Sequence, residues 1–301
     1  MSASASTKVI IAALIGNTLI TITKFVAAAI TNSSAMLSEG IHSMVDTGNQ
    51  ILLLHGLKQA KKPASEEFPF GHGKEIYFWA FAVAILIFAV GAGVSIYEGI
   101  HHIISPTPMK DPTVNYIVLG LAMVFEGFAW TMAFVEFGKT KGQWGYLEAV
   151  KRGKDPSMFV VLFEDSAAML GLLIAFIGVY LAQLTGNPVY DGIASVLIGC
   201  VLGGTAIWLA YETKSLLIGE SANREVVDGI RRIMNAEPDI KHVNEILTMH
   251  MGPEYILANI SADFKDNIPV GNIENTIAEL DRKIKSKFPE VKRIFMEAEK
   301  R

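Results

Sequence analysis

Three ionisable residues crowd into the stretch SEGIHSMVDTGNQ, Ser38 to Gln50: Glu39, His42 and Asp46. His42 and Asp46 are four apart, so a helix places them on one face, one turn apart, and Glu39 borders that face. An imidazole and a carboxylate at that spacing can chelate one divalent ion, and both groups can also carry protons. The alternative is a His–Asp pair hydrogen-bonded to help helices pack. The surroundings favour the cation reading. The stretch lies in a run that otherwise suits a membrane, where ionisable side chains are costly and mark ion pathways.

A second acidic pair, Glu164 and Asp165, stands in FVVLFEDSAAMLG, flanked by apolar residues on both sides. Neighbouring residues on a helix point about 100° apart, so only one of the two can fully face a cavity shared with His42 and Asp46. Other polar positions are less specific. Glu126, in VFEGFAW, could line the pathway or pair with Lys24, and Lys24 itself snorkels or forms an internal ion pair. Asp191 falls where an apolar run begins, which reads as a helix cap. His101 and His102, near the end of a span, read as a solvated interface. His242 and His250 read as surface residues on or beside one strand.

The elements that must hold these groups follow from the hydropathy. Of the 301 residues, 51% are hydrophobic, and the mean hydropathy is +0.36, which points to a membrane protein. Six runs of sufficient length appear, at about 8–30, 35–57, 75–103, 114–137, 157–185 and 191–214. The second is the least apolar, because it holds the opening stretch. Lys58, Lys61, Lys62 and Lys74 follow the second run, and Lys139, Lys141, Lys151, Arg152 and Lys154 follow the fourth. The other connections carry almost no positive charge. The positive-inside rule therefore puts both termini in the cytoplasm.

Past Leu217 the pattern becomes that of a soluble domain. NREVVDGIRRIMNA and NIENTIAELDRKIKSKF are amphipathic helices, while HVNEILTMHM, YILANISADF and VKRIFMEAE are strands, the first two joined by the turn GPE. The order αββαβ predicts a small open sheet with two helices on one face. The fold class is thus an α-helical membrane protein: a six-helix transmembrane domain (1–217) followed by a small cytoplasmic α+β domain (218–301).

Several classes are disfavoured. A net charge of −4 gives no footprint for nucleic acid. The single cysteine, Cys200, excludes an internal disulfide framework and a cysteine-based zinc cluster. No H-E-x-x-H motif occurs, which disfavours an intramembrane metal hydrolase, so an enzyme is not expected. The N-terminal MSASASTK is too polar for a secretory leader, and the first apolar run is read as a retained span.

These residues resemble the cation diffusion facilitators, proton-coupled divalent-metal exporters, over the full chain. The resemblance rests on His42-x-x-x-Asp46, on FPFGHGKEIYF (Phe68 to Phe78), on Asp165, and on the αββαβ tail with GPEY in its hairpin. Within the family, SEGIHSMVDTGNQ, VVLFEDSAAMLG and TGNPVYDGIASVLIG are most similar to the animal zinc transporter-9 subgroup. The resemblance implies a ferredoxin-like tail, a homodimer in a lipid bilayer, and exchange of metal for protons at a site between spans two and five. It implies no resident cofactor, zinc being the transported substrate, with manganese, iron or cobalt also accepted by such donors. Its metal ligands would be His42, Asp46 and Asp165, which would also couple protons, with Glu164 or Glu39 as further candidates. Lys74 would form a dimer-stabilising ion pair, with Glu220 as candidate partner. A bacterial-type inner membrane is preferred over an organelle membrane. Two rival readings are a membrane-anchored metal sensor and a monovalent cation/proton exchanger.

The chain also departs from the family pattern. Val161 stands where zinc members usually carry a second ligand on span five. His72 survives from a loop site, with Ser65 and Phe68 where its other ligands would be. Asn244 and Ala262 stand where some members have tail histidines, so no multi-metal cytoplasmic cluster is expected.

Overall fold

In the computed structural model, which describes residues 3–108, 110–141 and 143–300, every run expected to span is helical. These helices are α1 (Ala3–Thr31), α2 (Ser34–Ala60), α3 (Glu75–Leu86) continuing through a π-helical turn (Ile87–Ala92) into α4 (Gly93–Ile104), α5 (Thr113–Thr140), α7 (Pro156–Thr185) and α8 (Val189–Ile218). A short α6 (Tyr146–Arg152), which the apolar pattern did not predict, precedes α7. Among the described residues, four helices are long and apolar enough to cross a membrane: Glu75–Ile104, Thr113–Lys139, Phe159–Thr185 and Val189–Ile218. Asn17–Thr31 is a shorter apolar helix. The stripe that puts Glu39, His42, Asp46 and Asn49 on one side of α2 dilutes that helix's hydropathy.

The chain divides into two compact units. The first comprises Met1–Gly56, Phe78–Lys151 and Pro156–Thr213. Its helices turn large apolar side chains outward: Leu19, Ile22, Val26 and Ile30 on α1, and Leu121, Val124, Phe125, Phe128 and Met132 on α5 are all exposed. Contiguous apolar surface on this scale suits lipid rather than water. Inside, α4 and α8 meet backbone to backbone. A Cβ on Gly99 would stand 2.7 Å from the Gly192 carbonyl, so only glycine permits this approach.

Asp191 does not cap its own helix. From α8 its Oδ1 accepts the Ser33 hydroxyl at 2.7 Å, and its Oδ2 accepts the backbone N–H groups of Ser34 and Ala35, the first residues of α2. The Ser33 hydroxyl in turn accepts the Met36 N–H. The free N–H groups at a helix start need acceptors when buried, and here a carboxylate distant in sequence supplies them. His102 is buried beside the same carboxylate, with Nε2 3.9 Å from Asp191 Oδ2, rather than solvated; His101 remains exposed.

The second unit comprises Leu57–Tyr77, Arg152–Asp155 and Lys214–Arg301. Its core is the expected αββαβ: α9 (Arg224–Asn235), β1 (Ile240–Gly252), β2 (Tyr255–Phe264), α10 (Val270–Lys287) and β3 (Val291–Ala298). The sheet runs β1-β2-β3, with β1 antiparallel and β3 parallel to β2. Ile256, Ala258, Ile260 and Ala262 alternate on β2 and pack with Val226, Ile230 and Met234 of α9 and with Leu280 and Ile284 of α10. Both helices therefore cover one face. The loop carrying FPFGHGK lies on the β1–β2 hairpin, so close that a Cβ on Gly73 would sit 2.3 Å from the Met251 carbonyl oxygen.

His250 is buried, 3% exposed, rather than a surface residue, whereas His242 is exposed. Burial pushes the His250 imidazole below its ordinary value. Lys154 adds to that, while the Gly252 carbonyl and the carboxylates of Glu220 and Glu290 oppose it. The unfolded chain therefore binds more protons than the folded one below about pH 6.5. Stability from this group is complete above that pH and is lost as pH falls toward the depressed value. Hydrogen exchange on the full chain should show β1 amides losing protection between pH 7 and 5, and His250→Gln should flatten that dependence. An unchanged slope in the variant would refute it.

Candidate cation site in the helical unit

α2 presents Glu39, His42, Asp46 and Asn49 at spacings of three and four, which stack them along one face. His42 is 1% exposed, and neither ring nitrogen has a hydrogen-bond partner. Its Nδ1 stands 3.2 Å from Asp46 Oδ1, itself buried without a hydrogen-bond partner. Buried polar atoms are ordinarily paired, so this cluster of orphans on one turn calls for an explanation.

α7 supplies the second half and separates its two acids. Asp165 lines a cavity of about 510 Å³, together with Asp46 and Ser43 of α2, Glu126 of α5 and Val161. Glu164 turns the other way, is buried, and accepts a hydrogen bond from Asn49 Nδ2 of α2. The Asp46 and Glu164 carboxyl groups also lie within hydrogen-bonding reach. Two carboxylates that close require a proton or a cation between them.

Glu126 thus lines the cavity and does not pair with Lys24. Lys24 donates instead to Glu39 Oε2 at 3.1 Å and to the Ser43 hydroxyl at 2.7 Å, with both charged side chains fully buried. Asn17 and Gln50, which the sequence reading passed over, also line the cavity, and Asn17 Nδ2 donates to Gln50 Oε1. So was Asn49, although its place three beyond Asp46 on the polar stripe was a usable signal. Among the described residues, no three His, Cys, Asp or Glu side chains gather closely enough to hold a metal ion. Asp46, Glu126 and Asp165 line the cavity, whereas His42, Glu39 and Glu164 are buried outside its lining.

In the second unit, Glu220 pairs with Lys154 at 2.6 Å, and Lys74 donates to the Leu217 carbonyl at 3.5 Å.

A sequence profile described as the cation efflux transmembrane domain matches residues 10–218. The chain is 32% identical over 87% of its length to a mitochondrial proton-coupled zinc antiporter of Xenopus laevis, 47% of which is covered. It is 28% identical over 89% of its length to metal tolerance protein C4 of Arabidopsis thaliana, with 59% of that protein covered. To the cation-efflux pump FieF of Cronobacter sakazakii it is 25% identical over 93% of its length, covering 88% of the pump. The chain thus spans about half the length of the animal relative it matches.

Proposed function

The chain belongs to the cation efflux family, the cation diffusion facilitators, and from that premise we propose that it carries a divalent cation, zinc above all, out of the cytoplasm in exchange for protons. One observation carries the reading: Asp46 and Asp165 line one cavity, and the buried ring of His42, 3.2 Å from Asp46, has no hydrogen-bond partner on either nitrogen. With His42, Asp46 and Asp165 as ligands, two carboxylates balance a divalent charge, which makes a buried ion tolerable. Glu164, held by Asn49, is the further ligand candidate in place of Val161. When the cation leaves, the clustered carboxylates repel one another until protons replace it. Alternating access then couples outward cation movement to inward proton movement.

The proposed frame is six spans with both termini cytoplasmic and a ferredoxin-like tail. The two lysine-rich connections contribute Leu57–Tyr77 and Arg152–Asp155 to one compact unit with Lys214–Arg301. That grouping supports their lying on one side of the membrane, as the charge distribution requires. A homodimer, with Lys74 at its contact, completes the proposal. The imidazole weighs against a monovalent exchanger, since sodium and potassium prefer oxygen donors.

The test is metal flux into proteoliposomes for zinc, manganese, iron(II) and cobalt, with and without a pH gradient. Zinc flux that accelerates with the gradient is expected. Divalent flux indifferent to the gradient would remove proton coupling, and no divalent flux would remove the transport reading.

A further inference from the structure

Lys24 is fully buried in α1, and its ammonium is shared between Glu39 Oε2 and the Ser43 hydroxyl. A buried lysine needs a partner, and this one has taken a carboxylate three residues before His42 on the polar face of α2. Only one oxygen of that carboxylate is used. Glu39 Oε1 is buried without a hydrogen-bond partner and lies against α7 at Gly171, where a Cβ would be 2.5 Å away. Gly171 is seven residues, two turns, beyond Glu164, on the same side of α7. Glu39 therefore turns its free oxygen to α7 two turns beyond Glu164, away from the acids, although its own position on α2 is one turn before the unpartnered imidazole of His42. The ammonium bound to its other oxygen fixes the carboxylate in that direction.

We infer that Lys24 sets the cation preference of the site, by acting as a tethered cation that holds Glu39 out of the coordination shell. The inference rests on the transport reading and says how that site selects its substrate. With Lys24 in place, the cation meets imidazole nitrogen and a limited number of carboxylates, a set suited to zinc. Without it, Glu39 adds a hard oxygen donor and a negative charge, which moves the balance toward manganese.

The test compares wild type, Lys24→Met, Glu39→Gln and the double variant as full-length purified protein, by equilibrium binding of zinc and manganese and by flux in proteoliposomes. Lys24→Met is expected to shift the zinc-to-manganese affinity ratio toward manganese on the order of tenfold. The double variant should return to the wild-type ratio. Glu39→Gln alone leaves the ammonium facing the site and should weaken both metals on the order of tenfold, and removing Lys24 as well should restore them. A double variant as shifted as Lys24→Met, or as weak as Glu39→Gln, would overturn the inference. If Lys24→Met fails to fold, the comparison of Glu39→Gln with the double variant decides. Wild type that binds neither metal would overturn the inference and the transport reading together, whereas normal flux with no change in any variant would overturn the inference alone.

Discussion

Asp46→Asn should reduce cation flux by about 100-fold or more while leaving a folded protein. The two properties separate because of where Asp46 sits. Its Oδ1 is buried beside His42 Nδ1 and has no hydrogen-bond partner, so no hydrogen bond at that oxygen is lost when the charge is removed. The Glu164 carboxyl stands within hydrogen-bonding reach of Asp46, and an asparagine amide can donate to it where the shared proton would. Asparagine also conserves volume, so the cavity wall keeps its shape. Function-bearing charges held at the expense of stability behave in this way. Asp165→Asn, in the lining of the same cavity, should give the same pair of results. Flux in proteoliposomes, with a thermal melt of the purified variant, reads both. Wild-type flux in either variant would remove its carboxylate from the site, and a large fall in melting temperature would assign it a structural role instead.

The largest effect on stability is expected at Asp191. The carboxylate is fully buried, and it accepts the Ser33 hydroxyl and the N–H groups of Ser34 and Ala35. Asp191→Ala leaves these donors buried without acceptors, at a cost on the order of 3 kcal/mol. His102 Nε2, already without a hydrogen-bond partner, also loses its nearest carboxylate. Asp191→Asn keeps an acceptor oxygen and should lose less. Because the freed end is the start of α2, the damage should reach the turn that carries Glu39 and His42. Hydrogen exchange at Ser34 to Met36 should rise in Asp191→Ala. A variant as protected and as stable as wild type would show that α2 is held by its packing instead.

Much of the molecule was legible residue by residue. Apolar runs of membrane length became helices, because the main chain in a bilayer must satisfy its own hydrogen bonds. The change from period 3.6 to period 2 after Leu217 located β2 at Tyr255–Phe264 and the hairpin turn before it. His42 and Asp46 were visible as a pair because four residues is one helical turn. Other features were invisible for the converse reason. No local pattern says that Lys24 chooses Glu39 over Glu126, or that Leu57–Tyr77 folds with the C-terminal strands.

The division follows the range of the forces involved. The sequence by itself determined the long helices, the αββαβ order and the polar stripe of α2, since each depends on residues within a few turns or strand positions of one another. Only the tertiary structure decided which of the adjacent acids Glu164 and Asp165 faces the cavity, because that depends on where Asn49 lies, 115 residues away. It alone decided that Asp191 caps a helix 157 residues earlier in the chain. Burial makes an unpaired charge or N–H so costly that each must find a partner, and the partner is whichever group the packing of helices brings near.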